Sequence, residues 1–127
     1  MNLLLDTHVF LWLDQRNPAL DNSTRAAIED QGNTIFVSAA SVWEVAIKRR
    51  RGKLTFSGSV SAAIAANGFL ELPILPLEAE AAGDLAWEHQ DPFDRMLVAQ
   101  TMHRGLVLVT ADETIRDLDS VARIWAR

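Results

Sequence analysis

The sequence predicts an α/β fold with a mainly parallel central sheet, and two patterns support this prediction. Short runs of consecutive apolar residues recur along the chain, and such runs are typical of strands that are covered by helices on both faces. Segments with helical periodicity lie between the runs, as expected when helices connect parallel strands. No linker-like stretch or internal repeat interrupts the 127 residues, so we expect a single domain over residues 1–127.

Four apolar runs are the strand candidates. They span residues 3–5, 35–37, 69–75 and 106–109. Proline cannot donate a hydrogen bond to a neighbouring strand, so Pro73 predicts that the third run lies at an edge of the sheet. The chain after Asp112 is short, and it stays open which strand closes the sheet. We therefore expect four or five strands.

Six segments between these runs have helical patterns that end at recognisable punctuation. They span residues 9–13, 23–30, 39–51, 60–66, 77–89 and 92–104. The last segment has the clearest signals, because Asp91 fits the N-cap, Pro92 the first helical position and Gly105 the C-terminal end.

Composition limits the classes of protein to which the chain can belong. A hydrophobic fraction of 49% and a charged fraction of 23% are typical of a globular protein with a real core. No apolar run approaches the roughly 20 residues that span a bilayer, and no basic region precedes residues 3–5. We therefore expect neither a membrane protein nor a signal peptide. The absence of cysteine excludes disulfides and thiolate metal sites, which fits a reducing cytoplasm.

The net charge of -5 argues against a protein that coats nucleic acid with a broad basic surface, since such binding relies on many contacts from Lys and Arg to phosphate. An acidic chain can still meet phosphate through a bound cation, because the cation inverts the local electrostatics of an acidic pocket. Composition alone therefore leaves a nucleic-acid partner open.

Two acidic residues lie at or just after the ends of predicted strands. Asp6 ends the first run, and Asp112 lies shortly after the fourth run. In open α/β sheets, ligands bind outside the carboxyl ends of the strands. Each Asp alone could equally cap the next helix or turn. If the two runs are neighbours in the sheet, however, the carboxylates lie side by side, and their repulsion must be relieved by a proton or a cation.

Two further acids lie on predicted helices. Glu44 has a structural alternative, because Ser41-x-x-Glu44 fits a capping box and Glu44 can pair with Lys48. Its apolar neighbours predict a helix that is largely buried against the sheet, where an unpaired carboxylate needs a purpose. Asp94 could interact with the helix dipole. Since Asp91 already explains the cap, we favour a functional role for Asp94 and a supporting role beside it for Asp91.

A set of carboxylates without cysteine or a His-x-x-x-His motif favours hard cations, Mg²⁺ or Mn²⁺. His8, His89 and His103 do not have metal-binding spacing, and we expect them to be packed or surface residues. A carboxylate-bound metal can activate water for attack on phosphorus and stabilise charge on the leaving oxygen. This chemistry is phosphodiester hydrolysis.

One concentrated basic run stands out in the acidic chain. It consists of Lys48, Arg49, Arg50, Arg51 and Lys53. The run could guide an RNA backbone toward the metal. It could equally be a solvated helix C-terminus, where positive charges interact favourably with the helix dipole.

Four segments together carry a family resemblance. They are LLDTH at residues 4–8, SAASVWEVAIK at 38–48, DPFDRMLVAQ at 91–100 and VTAD at 109–112. In this order they resemble the PIN-domain nucleases, and among them the VapC-type toxins of toxin–antitoxin pairs, over nearly the whole chain. The resemblance implies a three-layer α/β/α sandwich, a Mg²⁺ or Mn²⁺ site and endonucleolytic cleavage of RNA. It also implies a homodimer and inhibition by a small antitoxin protein whose C-terminal tail enters the groove.

The resemblance implies roles for individual residues as well. The family's catalytic, metal-binding acids fall on Asp6, Glu44, Asp94 and Asp112. Nearby polar side chains that could orient water or metal fall on Thr7, Ser38 and Thr110. Gln90 departs from the family pattern, because relatives often have a basic residue there, and this puts a phosphate contact at that position in doubt.

Two other function classes remain as alternatives. A haloacid-dehalogenase-like phosphatase also has an Asp after its first strand, but it needs a second Asp two residues later, where this chain has His8. A non-catalytic PIN-like module that works through protein contacts alone is the other alternative, and the intact set of four acids argues against it.

Overall fold

The computed structural model describes residues 1–118 and 120–127 and contains a five-stranded sheet. The strands are β1 (Asn2–Leu5), β2 (Thr34–Ser38), β3 (Leu70–Leu72), β4 (Val107–Thr110) and β5 (Arg123–Trp125). Their order is β3-β2-β1-β4-β5, and neighbouring strands run parallel throughout the described sheet. The prediction that Pro73 marks an edge is confirmed, since β3 lies at one edge. The sequence did not predict β5.

Seven helices connect or flank these strands in the described residues. They are α1 (Thr7–Asp14), α2 (Asn22–Glu29), α3 (Ala39–Arg50), α4 (Val60–Ala66), α5 (Pro76–Asp84), α6 (Pro92–Arg104) and α7 (Glu113–Arg116). None of the described helices is long and apolar enough to cross a bilayer. The helix predicted over residues 77–89 is wrong in its second half, because α5 ends at Asp84 and residues 85–91 contain no helix.

The core lies on both faces of the sheet. Leu3 and Leu5 belong to one apolar cluster, which includes Phe10 of α1. Leu4 belongs to a second cluster, which includes Leu97 of α6. Successive side chains of a strand point to opposite faces, so β1 is covered by helices on both sides. The predicted three-layer α/β/α sandwich is confirmed.

The strand order creates a crevice at the carboxyl end of β1. β2 pairs with one edge of β1, and β4 pairs with its other edge, where Leu5 lies opposite Val109. A reversal of this kind leaves a crevice outside the carboxyl ends of the two central strands. Asp6 follows β1 and Asp112 follows β4. The first and fourth apolar runs are therefore neighbours in the sheet, as the predicted proximity of Asp6 and Asp112 requires.

A buried polar network supports this end of the sheet. The Ser38 hydroxyl caps α3 by accepting from Ala40 N at 3.0 Å, and it donates to Gln100 Oε1 at 2.6 Å. Gln100 Nε2 lies 3.3 Å from Oε1 of Glu78, a fully buried carboxylate that is paired with Arg104 at 2.7 Å. Ser38 thus connects β2, α3 and α6. These contacts hold the Ser38 hydroxyl between the two helices.

Candidate metal centre

Three side chains with potential metal ligands meet at the carboxyl end of the sheet. One ligand atom from each of His89, Asp94 and Asp112 lies within 4.8 Å of the other two. His89 belongs to the segment between α5 and α6, Asp94 to the first turn of α6, and Asp112 to the N-cap of α7. His89 Nε2 and Asp94 Oδ2 are 2.7 Å apart. Two of the four predicted acids are therefore brought together directly.

The carboxyl group of Asp94 has a strongly perturbed affinity for protons. Burial raises the pKa of Asp94 to about 7, and the neighbouring charges of Asp91 and Asp112 add to this effect, while the hydrogen bond with His89 opposes it. A carboxyl group in this environment binds either a proton or a cation at neutral pH. Asp94 therefore has a property expected of a metal ligand.

Asp112 behaves in the opposite way. Burial acts to raise the pKa of Asp112, but hydrogen bonds from the hydroxyl and main chain of Thr114 outweigh it, so that the pKa is lowered overall. Asp112 Oδ1 accepts from Thr114 N at 2.9 Å and from Thr114 Oγ1 at 2.6 Å. Asp112 is thus ionised where Asp94 readily takes up a proton. Asp112 therefore caps α7 and also belongs to the candidate site.

Asp6 lies beside this group and is almost fully buried. Its Oδ1 caps α1 by accepting from Val9 N at 2.9 Å, and its Oδ2 accepts from the hydroxyl of Thr110. The Thr110 hydroxyl also accepts from Asp112 N at 3.0 Å, so it connects Asp6 to Asp112. Burial raises the pKa of Asp6 despite these hydrogen bonds. Asp6 does not belong to the compact group of three ligands.

Glu44 is also buried, and both of its oxygens have partners. Thr7 Oγ1 lies 2.6 Å from Oε1, and Lys48 Nζ lies 2.5 Å from Oε2. The predicted pair with Lys48 is confirmed. The predicted capping box is wrong, because Ser38 caps α3 and Ser41 lies inside the helix, where its hydroxyl contacts Thr7 at 2.9 Å. Glu44 lies outside the compact group as well.

His89, which we expected to be a packed or surface residue, does pack against Trp87, but it also lies beside Asp94 among the potential metal ligands. His89 lies in an irregular segment, so no regular spacing in the sequence relates it to the acids. One signal was available in the sequence. The residue before a proline is driven away from helical conformation, so the chain before Pro92 can fold back over the N-terminus of α6. Asp91 caps that helix as predicted, accepting from Phe93 N at 2.9 Å and Asp94 N at 3.1 Å.

The residues of the basic run at the end of α3 differ in their contacts: some are held by other parts of the protein and others are exposed. Lys48 pairs with Glu44, and Arg49 Nη1 donates to the carbonyl of Gly58 at 2.8 Å. Arg50 and Lys53 are exposed. Only part of the run is therefore free of the contacts that hold Lys48 and Arg49.

An apolar groove adjoins the acidic site. Trp43 of α3 is 60% exposed, and it packs edge-to-face against Phe93 with ring centroids 5.3 Å apart. A cavity of about 610 Å³ is lined by these two rings and by Trp87.

A larger cavity of about 1150 Å³ lies beside Asn33 and Thr34, at the start of β2. It is therefore at the opposite end of the strands from the acids.

Comparison with known proteins decides the family. The model of the PIN domain family matches residues 3–121. The chain belongs to the PIN domain family. The resemblance predicted from the four sequence segments is thus confirmed, and the acidic group lies on the matched part of this PIN domain.

Individual proteins are similar to this PIN domain to different extents. Ribonuclease VapC16 of Mycobacterium tuberculosis is 50% identical over 46 residues, which cover 33% of this chain and 33% of that protein. The solved structure of VapBC2 from Rickettsia felis bound to a promoter DNA fragment aligns over 100% of both chains, with 12% identity and a TM-score of 0.70. DNA-bound VapBC from Salmonella typhimurium aligns over 98% of this chain and 97% of that one, with 16% identity and a TM-score of 0.68. The structural likenesses establish the shared fold.

Proposed function

We propose that this PIN domain is an endoribonuclease that depends on Mg²⁺ or Mn²⁺, with Asp94 and Asp112 as the principal metal ligands. The observation that carries the proposal is the meeting of two carboxylates at the carboxyl end of the sheet, where the pKa of Asp94 is raised to about 7. Family membership and the local identity to a ribonuclease support RNA as the substrate.

The residues present fit a hard cation. Asp94 and Asp112 offer carboxylate oxygens, the donors that Mg²⁺ and Mn²⁺ prefer, and the chain has no cysteine to attract softer metals. A cation between the two carboxylates would also relieve their mutual repulsion. When bound, the metal would supply an activated water for attack on phosphorus and would stabilise charge on the leaving oxygen.

Asp6 and Glu44 have supporting roles in this proposal. Asp6 holds the hydroxyl of Thr110, which in turn accepts from the main chain of Asp112, so it fixes the start of the segment that presents Asp112. Glu44 is oriented by contacts with Thr7, the residue that follows Asp6, and with Lys48. Both acids would support the metal site from outside the compact group of potential ligands.

The exposed charges of Arg50 and Lys53 are proposed to contact the RNA backbone. Phosphate contacts of this kind contribute affinity without reading sequence. The chain's net charge of -5 otherwise repels RNA, so these residues and the metal would supply the attraction.

We further propose that the protein is the toxin of a toxin–antitoxin pair, inhibited by a small antitoxin, and that it forms a homodimer. The similar solved proteins include VapBC complexes from several bacteria, which supports an antitoxin partner. The groove beside the acids, with the exposed ring of Trp43, offers apolar surface for such a partner. Growth arrest on expression of the wild type, but not of Asp94→Asn, is the expected cellular result.

The experiment that tests catalysis is incubation of the purified protein with a labelled single-stranded RNA in Mn²⁺, in Mg²⁺ or in chelator. Wild type should cleave internally only with metal, and Asp94→Asn should lower the rate by roughly a hundredfold or more, because a metal ligand is lost. Asp84→Asn, at the exposed end of α5, is the matched control and should cleave like wild type.

Cleavage that survives both Asp94→Asn and chelation would contradict the proposal. A protein that binds no Mg²⁺ or Mn²⁺ and arrests growth equally well with Asp94→Asn would instead be the non-catalytic binding module.

A further inference from the structure

The segment between α5 and α6 is folded around one arginine. Arg95, the residue after Asp94, donates all five of its guanidinium N–H groups to main-chain carbonyls, at distances of 2.7 to 3.1 Å. The acceptors are the carbonyls of Ala82, Gly83, Leu85, Trp87 and His89. Backbone carbonyls outside helices and sheets need such partners. Arg95 therefore defines the path of a segment that has no regular structure of its own.

The last of these carbonyls belongs to His89. Arg95 Nη1 donates to it at 3.0 Å, which fixes the His89 main chain against the start of α6. The His89 ring is restricted on one side by the ring of Trp87, with centroids 4.9 Å apart, and its Nε2 lies 2.7 Å from Asp94 Oδ2. Both the backbone and the ring of His89 are thus held in place beside the acids.

We propose that Arg95 is a positioning residue that holds His89 as a nitrogen ligand of the same metal that Asp94 and Asp112 bind. The inference rests on the metal site of the proposed function and adds a third protein ligand to it. Ligands on opposite sides of an octahedral Mg²⁺ are about 4 Å apart. The three ligand atoms lie within 4.8 Å of one another, so a small inward movement lets all three reach one ion.

A nitrogen ligand has a consequence for metal preference. Imidazole is a softer ligand than carboxylate, and Mg²⁺ is a harder cation than Mn²⁺. A site made of His89, Asp94 and Asp112 should therefore bind Mn²⁺ more tightly than Mg²⁺. Loss of the imidazole should reduce this preference.

Electron paramagnetic resonance of bound Mn²⁺ tests the ligand directly, because a coordinated imidazole gives a ¹⁴N coupling that oxygen ligands do not give. Wild type should show the coupling. His89→Gln should lose it and bind Mn²⁺ at least tenfold more weakly, and it should fold normally, since the His89 side chain is 26% exposed. His103→Gln, which removes an exposed histidine on α6, is the matched control and should keep the coupling.

Arg95→Lys tests the positioning role. Lysine keeps the charge but has only three donors on one nitrogen, so it cannot hold five carbonyls. We expect Mn²⁺ affinity to fall roughly 10- to 100-fold and the ¹⁴N coupling to weaken. Arg25→Lys, which gives up a single contact to the carbonyl of Asn17, should leave both unchanged.

Mn²⁺ that binds wild type without ¹⁴N coupling would overturn the inference and leave the proposed function intact. Full coupling and affinity in Arg95→Lys would overturn the positioning role. Absence of any Mn²⁺ binding to wild type would overturn the inference and the proposed function together.

Discussion

Asp94 and Asp112 lie at one point in the fold but have opposite pKa shifts, because their surroundings differ. Asp94 is more deeply buried and faces two other acids, which raises its pKa to about 7. Hydrogen bonds from Thr114 stabilise the charged form of Asp112 and lower its pKa, despite its partial burial. One carboxylate is therefore ionised at neutral pH, while the other exchanges a proton readily. A cation can replace that proton.

Metal binding should consequently depend on pH. Below about pH 7 a proton occupies Asp94 and competes with the metal, so the apparent Kd for Mn²⁺ should rise as the pH falls. For a single group of this pKa, we expect roughly tenfold weaker binding at pH 6 than at pH 8. Isothermal titration at these two values measures the effect. His89→Gln should retain the dependence, and an affinity that does not change with pH would contradict the assignment to Asp94.

The Thr110 hydroxyl should contribute to stability through the two groups that it connects. Thr110→Val removes the donor to Asp6 Oδ2 and the acceptor for Asp112 N. A buried polar group that loses its partner costs about 1–3 kcal/mol, so the free energy of unfolding should fall by that amount in urea titrations. Thr55→Val, at an exposed position, is the control and should cost much less. Equal effects of the two changes would show that the Thr110 network adds no stability.

The residues that the sequence could identify are those with local signals. Asp6 directly follows the first apolar run, and Asp112 lies three residues after the end of the fourth run. Asp94 is not needed as the helix cap, because Asp91 already has that role. The role of Arg95 could not be predicted, because its five partners are main-chain carbonyls, which no side-chain pattern marks. His89 was not identified as a candidate ligand for a different reason: an irregular segment brings it to Asp94, and no regular spacing in the sequence marks it.

At the scale of the element, the N-terminus of α6 carries both a cap and a candidate ligand. Asp91 accepts from the main-chain N–H groups of Phe93 and Asp94, and the Asp94 side chain, in the first turn, belongs to the acidic group. Asp91→Ala should therefore cost about 1 kcal/mol of stability through loss of the cap but leave Mn²⁺ affinity within a few-fold of wild type. Thermal unfolding and Mn²⁺ titration of the same sample measure both effects. Loss of Mn²⁺ binding as complete as in Asp94→Asn would show that Asp91 is itself a ligand.

Elements with long or uninterrupted patterns were predicted well from the sequence. The runs at β1, β2 and β4 and the helix α6 have strong internal signals, and all are present. The short elements α7 and β5 have too few residues to establish a period. The end of α5 was missed because residues 85–91 gain more from contacts with Arg95 than from continuing the helix. The end of α5 therefore depends on tertiary contacts, which local helix propensity does not reveal.

At the scale of the whole molecule, an acidic protein must attract an acidic polymer. Lys48 and Arg49 of the basic run are held by contacts within the protein, whereas Arg50, Arg51 and Lys53 are exposed and can meet RNA. Replacing both Arg50 and Lys53 with Ala should weaken RNA binding and reduce the salt dependence, by about 0.7 in the slope of log K against log salt for each residue. Fluorescence anisotropy of labelled RNA over a salt series measures this slope. Arg16→Ala, at an exposed loop position, is the control, and an unchanged slope in the double variant would assign the run to helix stabilisation alone.

The most direct test of the central claim, that Asp94 and Asp112 bind the metal that RNA cleavage requires, is a Mn²⁺ titration in which binding and cleavage are measured together. For wild type, the cleavage rate should rise along the same curve as metal occupancy. Asp112→Asn should shift both curves to higher Mn²⁺ concentration by the same factor. Cleavage that is complete before Mn²⁺ binds, or a shift of the binding curve alone, would contradict the claim.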